Sequence, residues 1–382
     1  MARHSKSCIL IILTDSTLSE QLKTHIVREL GQAGGWLPFD RFMALALYTP
    51  GLGYYANDTV KFGAMPAGGS DFVTAPELSP WFGRALGRQV EQALEATGTT
   101  EVWEFGAGSG ALAAQVLTQL RSTGALARLH RYRIVDLSGT LRERQQARLS
   151  EFAGQVEWLD RLPERFEGVI LGNEVLDAMP VQLLQRRDGV WFERGVSWDG
   201  QALVWEDRTT ALRPPLEIDG PQDYLTEIHP QAQAFVRTLA ERWQRGAAFF
   251  LDYGFPEREY YHPQRHMGTL MCHRAHRSDP DPLVDLGLKD ITAHVDFTGV
   301  ALTAQDAGLQ VMGYTSQGRF LINAGLLELA AEAPLPERAQ LAKLLNEHEM
   351  GELFKVLSLA PMASADGWLP LGFAQGDRTH TL

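Results

Sequence analysis

The sequence predicts an α/β fold in which a doubly wound, Rossmann-like parallel sheet carries an N-terminal helical cap and insertions. Two observations predict this class. Short apolar runs alternate with helical segments from residue 100 onward, which is the rhythm of a parallel sheet with helices on both faces. The first run leads directly into GAGSG, a glycine turn that opens a helix, as at the ligand-binding end of such sheets.

Five strands are predicted in order, and they are largely apolar because both faces of a parallel sheet are covered. They are EVWEF, YRIVD, VEWLD, GVILGNE and AAFFLDYG. The helix FTGVALTAQDAG follows, and LQVMGYTSQGRFLINAG then predicts two strands joined by a tight turn. We expect this hairpin to close the sheet with a reversed strand.

The remaining segments define the predicted domain organisation. Residues 1–97 are expected to form the helical cap and a flap, and residues 98–325 the core. Two insertions interrupt the core. Residues 181–230 contain polar and apolar alternation around two Asp-Gly turns, which predicts an antiparallel meander, and residues 255–297 are rich in Pro, His and Tyr, which indicates an irregular lid. Residues 326–382 are predicted to be helices followed by a polar tail.

Composition limits the class of partner. The 382 residues include 47 acidic and 35 basic side chains, giving a formal net charge of −12, so a nucleic-acid partner is disfavoured. Cys8 and Cys272 form neither a disulfide framework nor a metal-binding spacing, which favours a reducing compartment. We expect a cytoplasmic chain without stable membrane insertion. Arg3, His4 and Lys6, which precede the first acidic residue, leave a transit peptide open.

The glycine loop follows the first strand. Gly106, Gly108 and Gly110 permit a tight turn and let a ligand approach the backbone at a helix N-terminus. The spacing G-x-G-x-G, with Ala107 between the first two glycines, differs from the dinucleotide fingerprint G-x-G-x-x-G. Glu104 would repel a pyrophosphate but suits a ligand with an amino group and a sulfonium. The loop therefore favours S-adenosylmethionine over a nicotinamide cofactor, and an exposed strand-end charge is the structural alternative for Glu104.

The ends of the second and third strands supply further cofactor candidates. Asp136 follows the second strand, where a carboxylate can accept hydrogen bonds from both ribose hydroxyls. We group Leu137 and Ser138 with it in the predicted cofactor site. Asp160 follows the third strand, where it can meet an adenine amino group or remain a solvated turn acid.

Several stretches together resemble the MidA family of S-adenosylmethionine-dependent methyltransferases. They are spread over residues 48–357 and read YTPGLGYYA, GSDFVTAPELSPWFG, EFGAGSGALA, IVDLS, GNEVLDAMPV, LDYGF, DITAHVDFT and MGELFKVL. The chain departs from the family pattern at Ala107, usually Pro, and at Asp136, typically Glu. The resemblance implies a class I methyltransferase core with S-adenosylmethionine as cofactor and S-adenosylhomocysteine as product. Because its mitochondrial members are complex I assembly factors and protein arginine methyltransferases, it also implies a protein substrate.

An arginine acceptor would need carboxylates, because a pair of them can clamp the planar guanidinium. Glu174 and Asp177 supply such a pair after the fourth strand, and the Asn173 amide can hydrogen-bond cofactor or substrate. The structural alternative is that these side chains cap the turn, above all Asp177.

Other side chains are weaker candidates for the walls of the site. The end of the fifth strand and the motif DITAHVDFT are expected to face the same crevice, which makes substrate-pocket candidates of Tyr253, His294 and Asp296. A flap over the cofactor is expected to include Tyr54, Tyr55, Thr74 and Glu77.

The sequence thus predicts a methyltransferase acting on protein arginine, with a respiratory complex subunit as one candidate acceptor. Three alternatives stay open at this point: methyl transfer to a small molecule or another protein nucleophile, a non-catalytic assembly factor, and a nicotinamide-dependent oxidoreductase. The loop spacing and Glu104 disfavour the last of these.

Overall fold

The computed structural model describes residues 4–57, 74–136, 139–275, 277–331 and 333–382. Its helices are α1 (His4–Gln32), α2 (Phe39–Tyr48), α3 (Ala75–Leu78), α4 (Pro80–Thr97), α5 (Ala111–Thr123), α6 (Gly139–Arg148), α7 (Pro230–Arg242), α8 (Glu257–Tyr260), α9 (Phe297–Asp306), α10 (Gln317–Asn323), α11 (Leu326–Leu329), α12 (Leu335–Leu345), α13 (Met350–Leu353) and α14 (Met362–Ala365). Its strands are β1 (Trp36–Pro38), β2 (Glu101–Phe105), β3 (Arg131–Val135), β4 (Val156–Leu159), β5 (Phe166–Glu167), β6 (Val169–Asn173), β7 (Gln182–Arg187), β8 (Val190–Trp198), β9 (Leu203–Thr209), β10 (Tyr224–Ile228), β11 (Trp243–Arg245), β12 (Ala248–Phe255), β13 (Met271–Arg274), β14 (Arg277–Asp279), β15 (Asp290–Thr292), β16 (Val295–Asp296), β17 (Leu309–Ser316) and β18 (Phe354–Pro361).

The central sheet has the order β17-β18-β12-β6-β2-β3-β4, and the short strand β16 extends it beside β12. Strands β4, β3, β2, β6 and β12 are mutually parallel. They are the five strands predicted from the apolar runs, so the doubly wound class is confirmed. Parallel strands direct their carboxyl ends to one edge of the sheet, and that edge carries the site.

The reversed strand does not come from the predicted hairpin. Only β17 forms within residues 309–325, and the segment after it is helix α10, which buries Phe320 and Leu321 in the core. Strand β18 is the reversed strand, and it lies antiparallel between β12 and β17. It arises from residues predicted to be helical. Its residues after Phe354 are all buried, as expected for a strand inside a sheet that is covered on both faces.

The C-terminal segment is also not a polar tail. Phe373 is 2% exposed and packs against Phe320 of α10, with ring centroids 5.4 Å apart. The Arg378 guanidinium makes two hydrogen bonds to the Glu352 carboxylate, at 2.5 and 3.2 Å. Residues 362–382 therefore cover the sheet edge formed by β17 and brace the short helix α13.

Helices cover both faces of the sheet. On one face α4 and α5 pack closely, because a side chain at Gly83 or Gly87 would collide with Gln115 or Gln119. On the other face α7 and α9 bury a second apolar cluster that includes Phe250. The cap and the insertions cover the carboxyl ends of the strands.

The insertions form separate antiparallel sheets above the strand ends. Strand β1 of the cap joins β8, β7 and β10 in one of them, with β9 on the other side of β8. In the lid, β13 pairs with both β14 and β15. The buried Glu227 carboxylate of β10 accepts hydrogen bonds from the Thr269 and Leu270 amides (2.8 and 3.0 Å) and from the Tyr260 hydroxyl (2.9 Å). Glu227 therefore fastens the lid to the meander. Within the described ranges, the chain has no helix with the length and apolarity needed to cross a bilayer.

Candidate active site

A cavity of about 1240 Å³ lies at the carboxyl ends of the central strands. Its walls come from the glycine loop, the turn after β6, strand β12, helix α2, the lid and the segment before β18. Pockets for one drug-sized ligand are usually about 300–1,000 Å³. This cavity therefore has room for a cofactor and part of a second substrate.

The glycine loop forms one end of the cavity, the cofactor end. Gly106 and Gly108 have φ angles of 61° and 53°, which is the left-handed region that favours glycine. A Cβ at Gly106 would lie 3.2 Å from Cγ2 of Val175, so the position is also short of space. Gly106, Ala107 and Gly108 line the cavity, whereas Gly110 is the N-cap residue of α5.

Glu104 lies beside this loop and lines the cavity while being only 2% exposed. The Tyr132 hydroxyl donates to its Oε2 at 2.6 Å. Burial raises the pKa of Glu104 to about 7, against the hydrogen bond from Tyr132, and the charge of Asp136 raises it further. Burial therefore disfavours the charged form of this carboxyl. It is not the exposed strand-end charge of the structural alternative.

Asp136 is held in place by Gln145, a residue the sequence did not single out. The Gln145 amide nitrogen donates to Asp136 Oδ2 at 2.8 Å and to the Gly108 carbonyl at 3.0 Å. Its amide oxygen accepts from the Trp158 indole at 2.9 Å. Gln145 thus fixes the spacing between the glycine loop and the strand-end acid. The predicted neighbours of Asp136, Leu137 and Ser138, lie outside the described residues.

Part of the predicted flap does lie at the glycine loop. Glu77 accepts hydrogen bonds from Ser109 of that loop and from Arg148 of α6, the latter at 2.5 Å. Burial acts to raise the pKa of Glu77, but the hydrogen bonds from Arg148 and Ser109 outweigh it and hold the pKa below its ordinary value. Thr74 lines the cavity beside it.

The turn after β6 forms the other end of the cavity, the acceptor end. Glu174 has a φ of 54°, which is uncommon for a residue other than glycine and marks a constrained backbone. The Asn173 amide donates to Glu174 Oε1 at 2.9 Å, and Asn173 Oδ1 is buried without a hydrogen-bond partner in the described structure. Both side chains line the cavity.

Asp252 explains how this turn keeps its shape. It is 1% exposed, and its Oδ2 accepts hydrogen bonds from the amides of Val175, Leu176 and Asp177 at 3.1, 2.9 and 3.2 Å. Burial and the charges of Asp177 and Glu174 raise the pKa of Asp252 well above its ordinary value. One carboxylate from β12 thus replaces the hydrogen bonds that the turn cannot make itself.

The two predicted carboxylates differ in their surroundings. Burial raises the pKa of Glu174 to about 8, and the charges of Asp177 and Asp290 add to the effect. Burial raises the pKa of Asp177 to about 6, while hydrogen bonding to the Tyr253 hydroxyl and to backbone amides opposes the shift. Asp177 is 5% exposed, and its Oδ1 lacks a hydrogen-bond partner among the described residues.

Lid residues and aromatic rings complete the acceptor end. The rings of Tyr253 and His294 meet edge to face with centroids 5.1 Å apart, and both line the cavity. Burial lowers the pKa of His294 to about 4, so its imidazole is neutral at pH 7. The Tyr48 hydroxyl donates to the Ala178 carbonyl at 2.8 Å, which joins the cap to the turn after β6.

Asp160 and Asp296 also lie outside the cavity lining, and their predicted roles are corrected. Asp160 is exposed and pairs with Arg142 of α6, so it faces solvent rather than a bound adenine. Asp296 is the N-cap of α9 and accepts from the Gly299 amide at 3.0 Å, with the Tyr261 hydroxyl 3.4 Å from its other oxygen. Its carboxylate therefore caps the N-terminus of α9. The capping signal was present in the sequence as Asp before a helical segment.

The described residues contain no group of three or more His, Cys, Asp or Glu side chains arranged to hold a metal ion. The site consists of a glycine loop, two strand-end acids and a turn rich in carboxylates at the ligand-binding edge of a doubly wound sheet. That combination, with a reversed strand inside the sheet, defines the class of Rossmann-like methyltransferases.

Comparison with known proteins gives the family. Residues 85–315 match the model of the family described as "Putative S-adenosyl-L-methionine-dependent methyltransferase". The match covers more than half of the chain, and the chain belongs to this family. It is an S-adenosylmethionine-dependent methyltransferase, and S-adenosylmethionine is its cofactor.

Two solved structures from Burkholderia thailandensis are similar over nearly the whole chain. One, bound to S-adenosyl-homocysteine, is 50% identical with a TM-score of 0.91 and covers 97% of this chain and 98% of that chain. A native structure is 49% identical with a TM-score of 0.87 and the same coverage. A curated relative from Drosophila melanogaster, named protein arginine methyltransferase NDUFAF7 homolog, mitochondrial, is 29% identical over 94% of this chain and 89% of its own length.

Proposed function

We propose that this methyltransferase transfers a methyl group to the guanidinium group of an arginine side chain in a protein. The observation that carries the proposal is the carboxylate pair Glu174 and Asp177 in a cavity with room for more than the cofactor. A guanidinium is planar and cationic and presents five N–H donors, so it is bound best by paired carboxylates. The name of the curated relative from Drosophila melanogaster supports the same acceptor class.

The cofactor end of the cavity fits S-adenosylmethionine. The left-handed backbone at Gly106 and Gly108 leaves room for close approach at the start of α5. Glu104 would pair with the cofactor's amino group, and Asp136 would accept hydrogen bonds from its ribose hydroxyls. When bound, the cofactor supplies a methyl group attached to a cationic sulfur.

Glu174 would orient the acceptor and take up the released proton. Its carboxylate would accept two N–H bonds from the guanidinium and hold the attacking nitrogen in line with the methyl group. The N–CH₃ bond forms as the S–CH₃ bond breaks, and the same nitrogen must then lose a proton. A carboxylate whose pKa is about 8 can hold that proton in the closed site. Asp177 and Asn173 would bind the remaining N–H groups.

The partner and compartment are part of the proposal. We infer that the acceptor protein is a subunit of a respiratory complex, as the MidA resemblance implies. The reaction would then take place in the cytoplasm for a bacterial chain and in the mitochondrial matrix for a eukaryotic one. The names of the curated relatives, which say that those proteins are mitochondrial, support the mitochondrial compartment for a eukaryotic chain.

The test is transfer of a labelled methyl group to protein in a cell lysate, followed by acid hydrolysis of the labelled band. We expect methylarginine as the labelled product. Glu174→Gln should lower the rate by about 10²-fold or more, the effect of removing a preorganised charged group from a closed site. Its affinity for S-adenosylhomocysteine, measured by calorimetry, should stay within about threefold of wild type.

Glu241→Gln is the matched control, because Glu241 is an exposed glutamate of α7 outside the cavity. It should methylate at the wild-type rate. Label recovered in another amino acid or in a small molecule would contradict the arginine acceptor. An unchanged rate in Glu174→Gln would remove the role given to that carboxylate.

A further inference from the structure

The lid contributes a polar strand face to the acceptor end of the cavity. Successive side chains of a strand point to opposite faces. Asp290 and Thr292 of β15 both line the cavity, while Ile291 between them is buried in the apolar cluster shared with the cap. The lid is therefore a wall of the site with side chains of its own.

Asp290 lies close enough to the core carboxylates to act on them. It is 2% exposed, and its charge raises the pKa of Glu174. The charges of Asp290 and Asp177 together raise the pKa of both Tyr48 and Tyr55, after the larger effect of burial. Glu174 and Asp177 of the core and Asp290 of the lid thus lie around the same part of the acceptor end.

One buried acceptor atom in this region, Oδ1 of Asp177, lacks a hydrogen-bond partner among the described residues. Asp177 is 5% exposed, and Thr292, which is 3% exposed, interacts with the hydroxyl of the same Tyr253 that interacts with Asp177. Native structures seldom leave buried polar atoms unsatisfied, so the Asp177 oxygen calls for an explanation. A ligand that carries several N–H donors would satisfy it.

An aromatic wall stands beside these groups. Tyr48 and Tyr55 stack with centroids 5.7 Å apart and an interplanar angle of 19°. The Tyr55 hydroxyl donates to both Asp290 oxygens at 2.8 Å. A flat ring next to carboxylates suits a guanidinium, which is planar and stacks on aromatic faces, better than a compact ammonium.

We propose that Asp290 and Thr292 form a second arm of the acceptor site, which binds the guanidinium from the side opposite Glu174. The acceptor is then held between the core and the lid, and Asp290 determines the preference for arginine over lysine. This inference rests on the proposed arginine acceptor and adds the group that selects it.

The test is direct binding to the full chain saturated with S-adenosylhomocysteine. The probes are Nα-acetyl-arginine amide and Nα-acetyl-lysine amide, and ligand-observed NMR gives their dissociation constants. Wild type should prefer the arginine probe. Asp290→Asn should weaken the arginine probe about tenfold or more, because it removes a charge-assisted bond. Thr292→Val should weaken it by a smaller factor.

A purely structural role for Asp290 is tested by cofactor affinity and by a control substitution elsewhere on the chain. Asp290→Asn should bind S-adenosylhomocysteine within about twofold of wild type, and the exposed Asp306→Asn is the charge-matched control.

Equal loss of affinity for both probes in Asp290→Asn would overturn the inference, as would the same loss in Asp306→Asn or no preference in wild type. The outcomes are distinguishable from failure of the proposed function. If lysate labelling yields methylarginine while Asp290→Asn keeps the preference, only the lid assignment fails. If the probes discriminate as expected but no methylarginine forms, only the proposed function fails.

Discussion

The two ends of the cavity are built in different ways. The cofactor end uses Glu104, the glycine loop and Asp136, which lie within one strand-helix-strand unit. The acceptor end uses the cap, the turn after β6, strand β12, the lid and the residues before β18, which span most of the chain. Cofactor binding is thus encoded locally. Acceptor binding depends on packing between distant segments, and that is where substrate choice can vary without changing the cofactor.

The largest effect on ligand affinity is expected at the cofactor end. Asp136→Ala should weaken S-adenosylhomocysteine binding by roughly tenfold to a hundredfold, because it removes an acidic acceptor held in position by Gln145. Calorimetry measures the change, and Asp306→Ala serves as an exposed control. A loss below about threefold would show that Asp136 contributes little to the affinity for the cofactor and would contradict its assigned role.

Cofactor affinity and kcat/KM for the acceptor should depend on pH in different ranges, because a different carboxyl titrates at each end of the cavity. The pKa of Glu104 is about 7, so affinity for the cationic cofactor should rise as pH increases through 7 and the carboxyl becomes charged. The pKa of Glu174 is about 8, so kcat/KM for the acceptor at saturating cofactor should rise through 8. Below each pKa the change should approach about tenfold per pH unit.

Each inflection has its own control variant. Glu104→Gln should remove the lower inflection from the binding curve, and Glu174→Gln should remove the upper one from the rate profile. A single inflection common to both measurements would contradict the assignment of one titrating group to each end of the cavity.

The smallest effect is expected from Asp160→Asn. The carboxylate is exposed and paired with Arg142, so the substitution should change the affinity for S-adenosylhomocysteine by less than about twofold. The same calorimetric titration checks it. A tenfold loss would contradict this expectation and would mean that the loop after β4 turns inward when the cofactor binds.

Much of the cofactor end could be predicted from the sequence because it follows local rules. A parallel strand followed by a glycine turn and a helix leaves a strong pattern, and the acids at positions 104 and 136 end adjacent strands. The contacts of Gln145 could not be predicted, because the sequence does not indicate which loop a polar helix residue will contact.

The acceptor end was predicted in part, at the turn after β6 and at Tyr253 and His294, which also line the cavity. Asn173, Glu174 and Asp177 line the cavity as their position suggested. In the motif LDYGF we predicted a role for Tyr253, whereas the neighbouring Asp252 accepts the hydrogen bonds that stabilise the turn after β6. Adjacent residues of a strand point to opposite faces, and the sequence pattern does not indicate on which face this turn lies. The position of Asp290 in the cavity depends on how the lid folds, and the local sequence pattern does not predict that fold.

The position of β18 has a consequence for synthesis of the protein. β17 pairs only with β18 in the described sheet, and β18 also covers one edge of β12. A nascent chain that has emerged only as far as residue 350 therefore exposes a long apolar strand edge beside a nearly complete cofactor loop. Such edges recruit other chains, so we expect the ribosome-bound intermediate to need shielding by chaperones until residues 354–361 emerge.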